Sequence, residues 1–209
     1  MIEIAFLIGI ALVPAIVLHE CAHGWTAYRL GDPTAKLSGR LTLNPISHID
    51  PVGSVILPGI LIFSYFLGLT NHLFLFGWAK PVPVNFLKLR NPRRDMMVVA
   101  AAGPIINVII AVILAQIIRW SALGDSSLHH VLCWAVELNL TLALFNMIPI
   151  PPLDGSRVVT GLLSPQIAVA YNQLERYGII LVLILLQVGL LSFIQPIVDV
   201  LAGWIGVKL

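Results

Sequence analysis

Charge is scarce in this sequence. Of its 209 residues only 11% are Asp, Glu, Lys or Arg, against 58% hydrophobic, and the mean hydropathy is +0.95. Soluble domains carry about 25% charged residues, so the composition excludes an ordinary soluble domain and implies an all-α polytopic membrane protein. The net charge of +2 gives no sign of a nucleic acid or acidic partner. Cysteine is nearly absent. Cys21 and Cys133 stand far apart in apolar segments, which excludes a disulfide framework or paired thiol motif and leaves them as packing residues. Met1-Ile2-Glu3-Ile4 has no basic stretch and no small-residue cleavage site follows it, so the opening apolar run is expected to stay as a membrane helix. Repeats and low-complexity tracts are also missing, and a single domain over 1–209 is the simplest expectation.

What the chain has in abundance is apolar runs. With about 20 apolar residues needed per helical span, four spans are expected near 2–25, 97–118, 131–150 and 178–200. The segment 51–79 is apolar but interrupted by Pro58-Gly59, Gly68 and Asn71-His72. Lys and Arg concentrate in short cytoplasmic loops. Loop 26–50 carries Arg29, Lys36 and Arg40, and loop 77–96 carries Lys80, Lys88, Arg90, Arg93 and Arg94. Both loops are therefore assigned to the cytoplasm, and 51–79 must leave and return as a re-entrant or double-pass hairpin. Ten of the twelve Lys and Arg then lie inside, only Arg119 and Lys208 fall outside, and the N-terminus is outside. Short membrane-associated strands are expected near 39–45 and 78–85, from alternation in the first and from Pro81 and Pro83 in the second. Pro14 is expected to kink the first helix.

The chemistry is concentrated in His19-Glu20-Cys21-Ala22-His23, an H-E-x-x-H motif. On a helix, i and i+4 share a face, so both imidazoles can reach one zinc ion while the intervening Glu approaches a water. Ionisable groups inside a membrane helix are costly and mark function. A catalytic zinc keeps one open position beside three protein ligands, and few acidic residues are available to complete the set. Glu3 is at the wrong end of the first helix and Asp125 is in an outer loop. Glu137 lies about 25 Å before Asp154 along a helix, and Glu175 sits in a charged connector suited to a salt bridge. Asp154 stands out, following the helix-breaking run Pro149-Ile150-Pro151-Pro152. To reach the metal it must return to the side of His19 and His23, which again excludes a single crossing by 51–79. Asn146 is a candidate oxyanion or substrate-backbone donor.

His19-Glu20-x-x-His23, Gly103-Pro104-x-x-Asn107 and Asn146-x-x-Pro149-x-Pro151-Pro152-Leu153-Asp154-Gly155 together resemble the site-2 protease family of intramembrane zinc metalloproteases, peptidase family M50. Gly39 to Pro45 and Trp78 to Asn85 resemble its small bacterial branch without PDZ or CBS domains. The resemblance implies one Zn²⁺ held by His19, His23 and Asp154, with Glu20 as catalytic base. It also implies hydrolysis of peptide bonds in or near transmembrane segments of membrane-protein substrates, in the lipid of the cell membrane with the site toward the cytoplasm. A separate regulatory partner is compatible with it. Many relatives have a second Gly where this chain has Ser156. A zinc transporter or sensor and an inactive membrane-helix-binding pseudoprotease are the alternatives, and a base beside His19 argues against transport. His48 and Asp50 are read as an interfacial turn, His129-His130 as unable to share a metal, and Gly103, Pro104 and Asn107 as close helix packing with a polar contact.

Overall fold

The structure is a computed structural model, which describes residues 8–69, 77–121, 124 and 126–208. The expected first span starts before this range and enters it as a π-helical turn, Ile8–Leu12, that runs into α1, Val13–Arg29. Pro14 has no N–H to give the preceding turn and its ring crowds that turn, which accounts for the widened backbone just upstream. The same pairing recurs where the π turn Pro51–Ile56 precedes Pro58 in α3, Leu57–Phe66, with the short α2, Thr34–Leu37, between them. Residues 51–79 leave and return to one place. The Trp78 N–H donates to Gly53 O at 3.2 Å and the Ser54 hydroxyl to Trp78 O at 2.8 Å. Asn71 and His72, part of the expected interruption, lie outside the described residues.

Among the described residues three helices are long and apolar enough to cross a membrane: α4, Pro92–Trp120; α5, Ser127–Asn146; and the run Pro165–Gln187. This is a membrane protein. Between α5 and that run lies α6, Asp154–Leu162; the run itself holds α7, Pro165–Asn172, and α8, Gly178–Gln187, joined by a 3-10 turn. The expected span 178–200 is not continuous. It breaks at Gly189, whose φ of 94° is left-handed and accessible mainly to glycine, and resumes as α9, Leu190–Trp204.

The central helix is α4, packed against α1, α5 and α6. Ala100, Gly103, Asn107, Ala111 and Ala115 form one buried stripe at three- and four-residue spacing, and small side chains there let backbones approach closely. A second layer joins Ala111 and Ala115 to Val136 and Leu140 of α5 and to Ile194, Val198 and Ala202 of α9.

The expected strands are corrected: among the described residues neither 39–45 nor 78–85 forms one. The stretch 78–85 is extended, yet its amides go to other partners. Pro81 and Pro83 have none, while Val82 and Asn85 donate to the carboxylates of Glu20 and Asp32. A strand ladder needs those donors for a neighbouring backbone.

Candidate metal centre

His19 and His23 occupy successive turns of the buried face of α1. Their Nε2 atoms are 3.0 Å apart, and Asp154 Oδ2 lies 3.1 Å from the first and 3.2 Å from the second. The three side chains form the group able to hold a metal ion among the described residues. Asp154 is placed by α6, of which it is the first residue. That helix is fixed at its far end by Arg93 of α4, whose guanidinium donates to Gly161 O at 2.7 Å, to Leu162 O at 3.2 Å and to Leu163 O. Ser156 is buried, and its hydroxyl donates to Leu153 O at 2.7 Å, so the departure from Gly is accommodated two residues from the carboxylate.

The hydrogen bonds behind the histidines fix which nitrogen faces the centre. Ala135 O can only accept, so the Asn139 amide nitrogen donates to it at 2.8 Å and leaves Asn139 Oδ1 to accept from Asn107 Nδ2 at 2.9 Å. Asn107 Oδ1 must then accept from His19 Nδ1, 2.6 Å away. His23 Nδ1 donates to the backbone carbonyl of Val99 at 2.7 Å. Both protons are thus on Nδ1, and both Nε2 lone pairs face Asp154.

These residues fit a zinc ion. Two neutral imidazole nitrogens and a carboxylate are its usual donors, and tetrahedral ligands at about 2.0–2.1 Å stand roughly 3.3 Å apart, a few tenths beyond the spacing seen. Gly103 supplies the room: a Cβ there would collide with both Nε2 atoms.

Glu20 turns its Oε2 to the Val82 N–H at 2.8 Å. Asn146 is not brought into the cluster; its amide nitrogen donates to Leu142 O, one turn back, at 3.0 Å. The other acidic residues considered as ligands have other partners. Glu175 pairs with Arg157 at 3.5 Å, and Glu137 accepts from Gln195 at 3.0 Å. Glu3 and Asp125 lie outside the described residues. Asp50 caps the following turn by accepting from the Val52 and Gly53 amides, and His48 is buried with Nε2 donating to Thr42 O at 2.8 Å. The sequence indicates close packing and a polar contact for Gly103 and Asn107, without naming His19 as the partner, and gives no signal for Asn139. The motif Gly103-Pro104-x-x-Asn107 was the signal for the first two, since glycine and an amide one turn apart face a neighbour together.

Known proteins resemble this chain. The family model described as Peptidase family M50 matches residues 116–188, a stretch that contains Asp154. A Bacillus subtilis (strain 168) protein named "Putative zinc metalloprotease YwhC" is 38% identical over 193 residues, 88% of this chain and 82% of the relative. Proteins named "Putative zinc metalloprotease Rip2" are 30% identical: that of Mycolicibacterium smegmatis over 82% of this chain and 63% of its own length, that of Mycobacterium tuberculosis (strain H37Rv) over 91% and 66%. No solved structure matches. The chain belongs to peptidase family M50, the site-2 protease family.

Proposed function

We propose that this protein is an intramembrane zinc endopeptidase that cleaves membrane-protein substrates in or near their transmembrane segments. The observation that carries the reading is the convergence of His19 Nε2, His23 Nε2 and Asp154 Oδ2, with both tautomers set for a metal. Names of the relatives support zinc and proteolysis. Bound there, zinc supplies Lewis-acid polarisation of the scissile carbonyl and acidifies water toward a pKa of about 7.

The chain's own residues do the rest. Glu20 takes the proton of the attacking water on its carboxylate and returns it to the leaving amine nitrogen. Asn146, beside the proline-rich break, donates the second hydrogen of its amide to substrate backbone. A peptide bond within an intact helix is shielded, so the substrate is bound with that bond unwound. The loops rich in Lys and Arg support an outside N-terminus and a site toward the cytoplasmic face of the cell membrane.

Zinc-loaded protein in liposomes, incubated with a single-pass substrate, should release fragments whose new termini map within or beside the transmembrane segment by mass spectrometry. Glu20→Gln should abolish them. Fragments from the soluble part alone, or unchanged cleavage by Glu20→Gln, overturn the reading.

A further inference from the structure

The extended stretch after Trp78 runs alongside α1 in step with it. Val82 covers Gly24, where a Cβ would stand 2.8 Å from Val82 Cγ1, and Val84 packs on the cluster of Ala27, Leu89 and Val99. Along this stretch the donors are allotted one by one. Lys80 N–H goes to His48 O at 2.9 Å, Val82 N–H to Glu20 Oε2 at 2.8 Å and Asn85 N–H to Asp32 Oδ2 at 2.6 Å. The prolines on either side of Val82 have none. The one backbone donor between Lys80 and Val84 is therefore aimed at Glu20.

Both ends of the stretch are clamped. Upstream, the Arg40 guanidinium donates to Lys80 O at 2.7 Å and Pro81 O at 3.4 Å. Downstream, Asp32 is fully buried and accepts from the amide and hydroxyl of Thr34 as well as from Asn85. Neither clamp touches the His-His-Asp cluster, yet together they fix where the Val82 amide points.

We propose that the Val82 backbone amide is a positioning group for Glu20, holding Oε2 so that Oε1 is the oxygen that exchanges protons, with Asp32 and Arg40 keeping the amide in register. A carboxylate on a flexible stem samples several rotamers, and a charge-assisted bond to a fixed N–H selects one. A displacement of about 1 Å in a catalytic group costs up to roughly 100-fold in rate. The inference rests on the protease reading given above.

Two measurements test it. The first needs neither metal nor substrate: Val82 holds the one backbone amide of Pro81-Val82-Pro83, and its site-resolved hydrogen exchange should quicken at least about tenfold in Glu20→Ala. The second is kinetic. Val82→Pro, which removes the N–H, should lower kcat roughly 10- to 100-fold with zinc content unchanged and KM little altered, while Val82→Ala, which keeps the N–H and loses only packing on Gly24, should lose clearly less. Asp32→Asn should resemble Val82→Pro in a milder form. Exchange at Val82 indifferent to Glu20→Ala overturns the proposal, as does wild-type kcat in Val82→Pro or an equal loss in Val82→Ala. Should Val82→Pro fail to fold, the exchange comparison decides. Wild-type protein that cleaves nothing would defeat the protease reading instead, and the exchange result would stand apart from it.

Discussion

Asn107 is a neutral amide in a membrane protein's core, with no solvent-exposed surface, and its bonds carry orientation from one helix to another. Its carbonyl oxygen takes the His19 Nδ1 proton and its nitrogen donates to Asn139. Partners of this kind typically contribute 10- to 100-fold to metal affinity. Asn107→Ala should therefore weaken zinc binding by about that factor in a chelator competition titration, while Asn107→Asp, which restores an acceptor for Nδ1, should recover most of it. Equal affinity in Asn107→Ala and wild type would remove the residue from the centre. The legibility of these residues differed for a physical reason. His19 and His23 are four apart on one helix, so their meeting is local geometry, visible in the sequence. The Asn107 contact depends on how α4 crosses α1, which residue spacing along one chain segment does not encode. Asp154 fell between these cases: its proline-rich setting and the scarcity of acids singled it out, although its approach to the histidines spans 135 positions of sequence separation.

At the scale of elements, apolar runs located α4 and α5 well, because burial in lipid demands length and hydrophobicity that are written directly in composition. Breaks were read less well. Gly189 sits in an apolar run that passes for one span, and only its left-handed backbone divides it. Strands were expected where the chain is merely extended. Alternation and proline spacing report backbone extension, whereas a strand also needs a partner for its amides, and here side chains take that place. One of those side chains gives a pH dependence. Burial pushes the Asp32 carboxyl up, but hydrogen bonds from Thr34 and Asn85, with Lys88 nearby, outweigh it and leave it below its ordinary 3.8. A carboxyl depressed in the fold contributes stability that is complete above the unfolded value and lost as pH falls through the lower folded one. Protection of the amides in residues 82–85, taken as exchange relative to the intrinsic rate at each pH, should thus hold from neutrality down to about pH 5 and fall below about pH 4. In Asp32→Asn protection should start low and lose that acid-dependent step. Identical pH profiles for the two proteins would show that the carboxylate does not hold the segment.

Over the whole molecule, a single small-residue stripe on α4 brings α1, α5 and α6 together, so the metal centre forms where three elements meet on the central helix. The return of Trp78 to Gly53 agrees with the demand that residues 51–79 begin and end on one side, a demand first set by the loop charges and by the need for Asp154 to reach His19 and His23. Membrane orientation is carried by those charges alone and belongs to the proposal. The central claim is that His19, His23 and Asp154 hold one zinc ion. X-ray absorption on purified, zinc-loaded protein tests it most directly. The account predicts one zinc per chain with nitrogen and oxygen neighbours at about 2.0–2.1 Å and no sulfur, and loss of tight binding in Asp154→Ala. Protein that binds no zinc, or a sulfur neighbour at about 2.3 Å placing Cys21 at the metal, would contradict it.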